Sequence, residues 1–457
     1  MRIRALPCLA LLVATGALAC SGDGEPAPDR LVLLISVDTL RADRLGAFGS
    51  DRGLTPNLDE LAAEGVRFVS TYAPTAFTLP SVTTLLTGRY PRETGVVRND
   101  CVVPSDVPSL SSVLGEQGFR TGAVVSNYVL RRITGLDQPF DEYDDEYTAS
   151  EVNRDVLERP ATDTTDAALG MLDRLRRRGG DVFLWVHYQD PHGPYTPPEE
   201  LRDRAYLTEQ ARPGGSLRLP IGPGNGGQGR IPKYQAVDGR RDVAFYLAGY
   251  DGEVAHLDAE VGRLLDGLTE RGLLEDAVIA FTADHGEALG ERDYWFAHGE
   301  LLSDDLLRVP LVLRVPGLAP SERTDAAGLV DVLPTLLGVL DVPAPRELRG
   351  RDLLAPGAEA EESTLFLATL GGGTTPRFGL VQDGHRFVLT REGEGWSPRL
   401  TALGSDQALE RPELVDELGR DLEAFAASLV TRPSVYWSDL SDQNVEALRA
   451  LGYFGDQ

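Results

Sequence analysis

Four of the six histidines in this 457-residue chain stand near carboxylates, just beyond short apolar runs. Asp38 follows Leu31–Val37. His187, Asp190 and His192 follow Val182–Val186. Asp284 and His285 follow Ala277–Thr282, and His298 lies in the loop beyond. Oxygen and nitrogen donors without a thiolate suit a divalent metal such as Mn, Zn, Mg or Ca. One hydroxyl is placed to use such a metal. Thr78 stands two residues before Pro80 and ahead of an apolar run. That puts it at the start of a helix, where free backbone N–H groups favour anions. A threonine hydroxyl is a weak nucleophile at neutral pH and needs a base or a metal. An imidazole, such as His192 or His298, suits protonation of a leaving oxygen. Each residue also has a plain structural reading. An Asp after a strand is commonly a helix cap, Thr78 would serve as an N-cap, and Asn99 in Arg98-Asn99-Asp100 suits a turn. The recurrence of such residues after successive strands is what favours a site. His256, inside a long helical pattern, and His385, in the tail, read as structural, and Cys101 as an inert thiol.

The elements that must position these residues alternate along the chain. Leu31–Val37 is an unbroken apolar run of strand length, suited to a strand buried on both faces of a parallel sheet. Gly122–Val125, Val182–Val186 and Ala277–Thr282 are further strand candidates. Thr55-Pro56 opens a short helix whose Leu58, Leu61 and Ala62 share a face and which Gly65 ends. Further helical patterns run over Leu110–Gln117, Thr165–Arg177 and Val243–Leu268. This α/β alternation predicts a mostly parallel sheet covered on both faces, with ligands at the carboxyl ends of its strands. Pro213–Gly229 predicts a long surface loop near the site mouth. The acidic stretch Pro356–Glu362 separates a catalytic domain, 31–355, from a C-terminal subdomain, 356–457. The latter has strand candidates at Leu365–Thr369 and Phe387–Thr390 and a terminal helix around Asn444–Leu451.

The net charge of −27 argues against nucleic-acid binding, which needs Lys and Arg to neutralise phosphates. It is compatible with an anionic ester substrate, because a cation and a few local donors reverse the field inside a cleft. Lys233 is the only lysine, a matter of genome composition. Residues 1–20 read as a signal peptide: Arg2 and Arg4 precede the apolar stretch Leu6–Leu18, too short to span a bilayer. The ending Ala17-Leu18-Ala19-Cys20 resembles a bacterial lipobox, with Ala17 where Leu is usual. Cys20 would then carry a lipid anchor, the alternative being ordinary cleavage near Ala19. Residues 21–30 form a tether. The expected location is outside the cytoplasm, periplasmic or anchored to the outer membrane, with no other membrane contact. Past Cys20 the only cysteine is Cys101, so no disulfide framework is expected.

A series of motifs, in order from about Leu31 to Leu354, resembles those of sulfatases. They are Val37-Asp38-Thr39-Leu40-Arg41-Ala42-Asp43, Thr55-Pro56-Asn57-Leu58, Thr78-Leu79-Pro80-Ser81 with Leu85-Leu86-Thr87-Gly88, and Asp190-Pro191-His192. Ala283-Asp284-His285-Gly286-Glu287 and His298-Gly299 with Arg308-Val309-Pro310-Leu311 complete the series. The resemblance implies an alkaline-phosphatase-like α/β/α sandwich with a smaller C-terminal subdomain. It also implies a metal-dependent hydrolase of phosphate or sulfate esters. In that scheme Asp38, Thr78, Asp284 and His285 hold one divalent metal ion. Mn or Zn is favoured over Mg or Ca, because Thr39 stands where sulfatases usually carry a second Asp. Asn99, 21 positions after Thr78, contacts the transferred group. His187 and Asp190 line the substrate and orient its partners, and His192 and His298 hold the group or protonate the leaving oxygen. The alternative is a second metal site made of Asp190, His192 and His298.

The chain departs from the sulfatase pattern at one place. Sulfatases carry Cys or Ser two places before the Pro, and Arg two places after it, and convert the Cys or Ser to formylglycine. Here those positions are Thr78 and Val82. Oxidising a threonine gives a ketone, so no formylglycine is expected. Thr78 instead resembles the direct nucleophile of phosphodiesterases and phosphoglycerol transferases in the alkaline phosphatase superfamily. A phosphoryl-threonine turns over by a second attack at phosphorus. A sulfo-threonine lacks the elimination route that hydrated formylglycine provides, so phosphodiester and phosphoester cleavage is favoured. The alternatives are a true sulfatase, an envelope phosphoglycerol or phosphoethanolamine transferase, and a catalytically silent binding lipoprotein.

Overall fold

In the computed structural model, which describes residues 29–437 except 155, 213–215, 361–362 and 371–374, the run Leu31–Val37 forms strand β1. Every residue of it is buried. A strand with no polar edge must have partners on both sides. Its sheet also contains β2 (Val66–Tyr72), β3 (Arg120–Val125), β4 (Glu142–Asp144), β5 (Val182–Tyr188), β6 (Val278–Ala283), β7 (Arg308–Arg314) and β8 (Ser321–Arg323). Across the sheet the order is β8-β2-β7-β6-β1-β5-β3-β4, and Ala327–Gly328 also pairs with β2. From β6 to β4 all neighbours are parallel, while β7 is antiparallel to both of its neighbours.

Helices α1 (Pro56–Glu64), α2 (Thr78–Thr87), α3 (Leu110–Glu116), α4 (Ala161–Arg176), α5 (Glu199–Ala211), α6 (Val243–Glu270) and α7 (Val332–Val339) complete the α/β/α sandwich. α4 packs on β3, β5 and α6, and α6 also on α1 and α5. α2 packs with α3 and α7. The approach of α4 to the sheet is close: a Cβ at Gly122 of β3 would stand 2.6 Å from the Met171 sulfur. Two extensions beyond the apolar pattern bear on the site. β5 runs on through His187 and Tyr188, both buried and paired with Ser36 and Val37 of β1. α4 begins at Ala161 rather than Thr165, because the Asp190 carboxylate accepts the Ala161 N–H at 2.6 Å and caps it from across the fold. Of the predicted surface loop, the described residues 216–229 are irregular apart from isolated bridges.

Beyond the sandwich, β9 (Leu365–Thr369), β10 (Arg377–Gln382), β11 (His385–Glu392) and β12 (Gly395–Ala402) form a smaller antiparallel sheet in chain order, with helix α8 (Pro412–Ser428) against it. β10 and β12 are not evident from the sequence pattern. Gly379 interrupts one, and Pro398 sits in the other, where the edge position tolerates a missing N–H. α8 is also absent from the expected elements, although Pro412 at its first turn and leucines 414, 418 and 422 mark it. The expected helix at Asn444–Leu451, the signal peptide and Cys20 lie outside the described residues. Among the described residues no helix is long and apolar enough to cross a membrane.

The small sheet is fastened through its edge. Phe366 and Ala368 of β9 donate their N–H groups to the Tyr90 hydroxyl (3.2 Å) and the Pro74 carbonyl (2.9 Å). The rings of Tyr90, Phe366 and Phe425 close around this contact, which covers an otherwise open strand edge. After α8 the chain returns to the sandwich: Arg432 N–H donates to the Arg92 carbonyl, Val102 N–H to the Val435 carbonyl, and Trp437 N–H to the Asp100 carbonyl. Tyr90→Phe leaves the buried Phe366 N–H without its acceptor and is expected to lower stability by about 1–3 kcal/mol in urea denaturation. An unchanged midpoint would mean that ring packing alone docks the subdomain.

Candidate active site

The parallel strands deliver two carboxylates to one place. The hydrogen-bond ladder runs one residue past each strand end: Asp38 N–H donates to the Tyr188 carbonyl (2.9 Å) and Asp284 N–H to the Val37 carbonyl (3.0 Å). Asp38 and Asp284 therefore leave neighbouring strands at the same level, both fully buried. One oxygen of each is satisfied. Asp284 Oδ1 accepts the N–H groups of His285 (2.6 Å) and Thr39 (3.2 Å), and Asp38 Oδ2 accepts the Asn127 side-chain amide. Asp38 Oδ1 and Asp284 Oδ2 have no partner. His187, opposite Ser36, shares a 2.8 Å hydrogen bond between its Nδ1 and the Ser36 hydroxyl, which also accepts the Trp185 indole N–H. Its Nε2 is 3.9 Å from Asp38 and otherwise unpaired.

Asp38, His187 and Asp284 offer ligand atoms within 4.8 Å of one another. Buried, unpaired oxygens and an imidazole nitrogen converging in this way are expensive unless a cation completes them, and the donor set fits a divalent ion. The electrostatics agree. Burial alone would raise both carboxyls. His192, His187 and His285 outweigh it at Asp38 and hold that group below the usual carboxylate range. At Asp284, burial and the Asp38 charge together push the carboxyl well above that range.

Thr78 opens α2. The cap position belongs to Phe77, and no side-chain cap bond is made, so Thr78 is not an N-cap. Its Oγ1 is 3.4 Å from His285 Nε2. His285 Nδ1 lies 2.9 Å from the Gly286 carbonyl, which only an N–H can satisfy, so Nε2 carries the lone pair. Burial, reinforced by His298, pushes His285 down to about 3 and keeps the ring neutral. The same Nε2 is 3.6 Å from Asp284 and 3.8 Å from Asp38. Gly286 is required here, because a Cβ would stand 2.1 Å from the Asp305 carbonyl oxygen. α2 is tied to the carboxylates by the Ser81 hydroxyl, which donates to the Asp284 carbonyl at 2.6 Å. Asn99 accepts the Leu79 N–H of the first turn with Oδ1 at 2.9 Å, while its buried Nδ2 has no partner. Thr39, a β-branched residue at φ +56°, sits strained in the left-handed region, held by Asp284 and by the Tyr250 hydroxyl on its carbonyl.

His192 and His298 face each other with ring centroids 5.3 Å apart, and His298 is 4.7 Å from His285. Their environments differ. Burial pushes His192 down to about 4, and its Nδ1 is unpaired. Burial also acts against charge on His298, but Glu287, 3.2 Å from its Nδ1, outweighs it and raises the group above the ordinary histidine value. Glu287 is in turn fixed by the Tyr195 hydroxyl at 3.0 Å.

Several expectations change on this geometry. Asp190, expected among the substrate residues, has its carboxylate committed to capping α4, among the charged neighbours His256, Glu260, Glu253 and Glu158. A second metal site of Asp190, His192 and His298 has no support, since the metal-capable group among the described residues is Asp38, His187 and Asp284. His187 lies on β5 rather than after it and joins the cation-binding group. Asn127 and Glu287 are additions. Asn127 stands two residues past the end of β3, close to where the strand-end rule points; Glu287 lies inside the Ala283–Glu287 motif but had no role. His256 contacts Thr162, His385 contacts the Asp383 carbonyl, and the buried Cys101 thiol is pushed up by burial.

Residues 30–342, more than half the chain, match the family model described as Sulfatase. An ulvan-active sulfatase of Formosa agariphila is 25% identical over 431 residues, covering 86% of this chain and 80% of its own. Human iduronate 2-sulfatase is 26% identical, with 69% of each chain covered. Among solved structures, one in complex with its substrate D-glucosamine-2-N,6-O-disulfate aligns with a TM-score of 0.70 at 18% identity, covering 87% of this chain and 98% of that one. The phosphonate monoester hydrolase of Agrobacterium radiobacter aligns at 0.68 and 21% identity, covering 88% and 96%. The fold is thus that of the alkaline phosphatase superfamily, and the chain belongs to the sulfatase family, as one of its ester hydrolases.

Proposed function

We propose that the protein cleaves phosphoric esters, phosphodiesters in particular, with Thr78 as the nucleophile. The observation that carries this reading is the Thr78 hydroxyl, free of any capping role and placed at the head of α2 beside His285 and the buried carboxylates. Asp38, Asp284, His187 and His285, with the Thr78 oxygen, would hold one divalent cation, Mn or Zn by the donor set. When bound, it lowers the pKa of the hydroxyl and polarises the ester oxygens.

The protein's own groups supply the rest. Thr78 Oγ1, its proton released to solvent as the hydroxyl ionises, attacks phosphorus, and an O–P bond forms as the bond to the leaving alcohol breaks. Asn99 Nδ2 and neutral His192 donate to the non-bridging oxygens. His298, whose protonated form Glu287 favours against burial, gives its proton to the leaving oxygen. Two imidazoles whose surroundings push them in opposite directions suit one binding role and one acid role. Water, losing a proton to the now neutral His298, attacks the phosphothreonine and restores Thr78. Sulfuric ester hydrolysis is the second reading, favoured by the names of the relatives. It requires a sulfo-threonine to be released without the formylglycine elimination route. We also propose action outside the cytoplasm, on the strength of residues 1–20 alone.

With Mn-loaded protein, Thr78→Ala is expected to lower bis(nitrophenyl) phosphate turnover by about 10⁴-fold or more. Unchanged turnover would assign the attack to another group. Efficient turnover of nitrophenyl sulfate by the wild-type protein would reverse the order of the two ester classes. His298→Ala is expected to slow alkyl phosphodiesters by about 10²–10⁴-fold, and nitrophenyl esters, whose leaving group needs no proton, far less. Equal losses on both would remove His298 from the acid role. Asn127→Ala frees the Asp38 carboxylate and is expected to weaken Mn binding about 10–100-fold in titration calorimetry.

A further inference from the structure

The strap that follows α8 ends beneath the Asn99 turn. Trp437 is wholly buried there, 338 positions from the residue it holds. Its indole N–H donates to the Asn99 carbonyl at 3.3 Å, and its backbone N–H to the Asp100 carbonyl at 3.0 Å. Val102 N–H returns a bond to the Val435 carbonyl at 2.7 Å, and Arg432 forks onto Asp106 at 2.6 and 2.7 Å. The Asn99 turn lies outside any strand or longer helix, so its position depends on such side bonds. On the other side Asn99 meets α2. The Leu79 N–H can only donate, which fixes Asn99 Oδ1 toward the helix and leaves Nδ2 as a buried, unpaired donor next to the Thr78 turn.

We propose that Trp437 is a positioning residue for the reaction. It clamps the Asn99 turn so that Asn99 keeps Oδ1 on the Leu79 N–H and presents Nδ2 to a non-bridging oxygen of the ester. This rests on the reading of Thr78 as the attacking group. A donor aimed at the developing charge acts through its placement, and the loss of one anchoring bond moves it away from that charge. Among the described residues Trp437 meets the Asn99 turn and the Arg131 guanidinium over its ring, but neither the cation-binding residues nor the histidine pair, so its influence on the site passes through Asn99.

The test is a double-mutant cycle on the Mn-loaded, full-length protein, with kcat and KM measured on bis(nitrophenyl) phosphate. Trp437→Phe, which keeps a ring but loses the indole N–H, is expected to lower kcat about 10- to 100-fold with KM little changed. Asn99→Ala is expected to lose about 100- to 1000-fold. In the Asn99→Ala background Trp437→Phe should cost nothing further. Inhibition by inorganic phosphate should weaken in Trp437→Phe and be indifferent to it once Asn99 is gone. Trp437→Tyr is the second variant should the phenylalanine protein fold poorly. Equal losses in both backgrounds, or no loss in either Trp437 variant, would overturn the proposal. Thr78→Ala separates the two failures: full activity there removes the nucleophile, while the cycle still reports whether Trp437 works through Asn99.

Discussion

Neighbouring parallel strands carry two carboxylates, Asp38 and Asp284, side by side into the buried interior, and their repulsion governs the site around them. The two groups cannot both ionise there unaided. Burial works against charge on both: at Asp38 three histidines outweigh it and hold the group low, while at Asp284 burial and the Asp38 charge together drive the group high. A cation relieves this conflict, and the surrounding hydrogen bonds make the arrangement specific. Each carboxylate has one oxygen occupied by the protein and one left open. The strain at Thr39 belongs to the same bargain: its left-handed turn brings a backbone N–H onto Asp284, and Tyr250 keeps the turn from relaxing.

A second layer of the architecture separates the histidines by task. His192, His298 and His285 lie in one file of rings, yet of the three only His298 has a carboxylate within hydrogen-bonding distance. Burial keeps the other two neutral, as acceptors or neutral donors. In the proposed reaction the same residue type is therefore suited to three tasks, as lone pair, as oxygen-binding group and as proton carrier, according to what stands one contact further out.

Much of this was legible in the sequence because strand ends are fixed by apolar runs. Asp38, Asp284 and His285 follow such runs, and Thr78 follows from the Pro80 turn. What escaped depends on distance in the chain. Asp190 looks like a site residue next to His192, yet its carboxylate is drawn to the bare N-terminus of α4, a partner 29 positions away. His187 looked like a loop residue until its burial against Ser36 showed β5 to be longer. Asn127 was recoverable, since it lies two residues past the end of β3, close to where the rule that revealed Asp38 points. The strap at Trp437 was not, because no local pattern says that a tail will return beneath a turn made more than three hundred residues earlier.

β1 is the most apolar strand of the sheet and also the one whose neighbours are made late. Leu31 pairs with Val182 and Val32 with Val278, so the strand must wait through much of synthesis before its ladder can close. Seven uncharged residues of high β-propensity, left bare, are the kind of segment that joins other chains. Charged residues stand at both ends of it: Asp29 and Arg30 before, Asp38 after. Such residues act as gatekeepers against strand-to-strand aggregation. In the folded protein Arg30 goes to Asp181, and Asp38 becomes the buried edge of the cation site. The charge that the finished fold confines in its interior thus guards the same strand while the strand is still exposed.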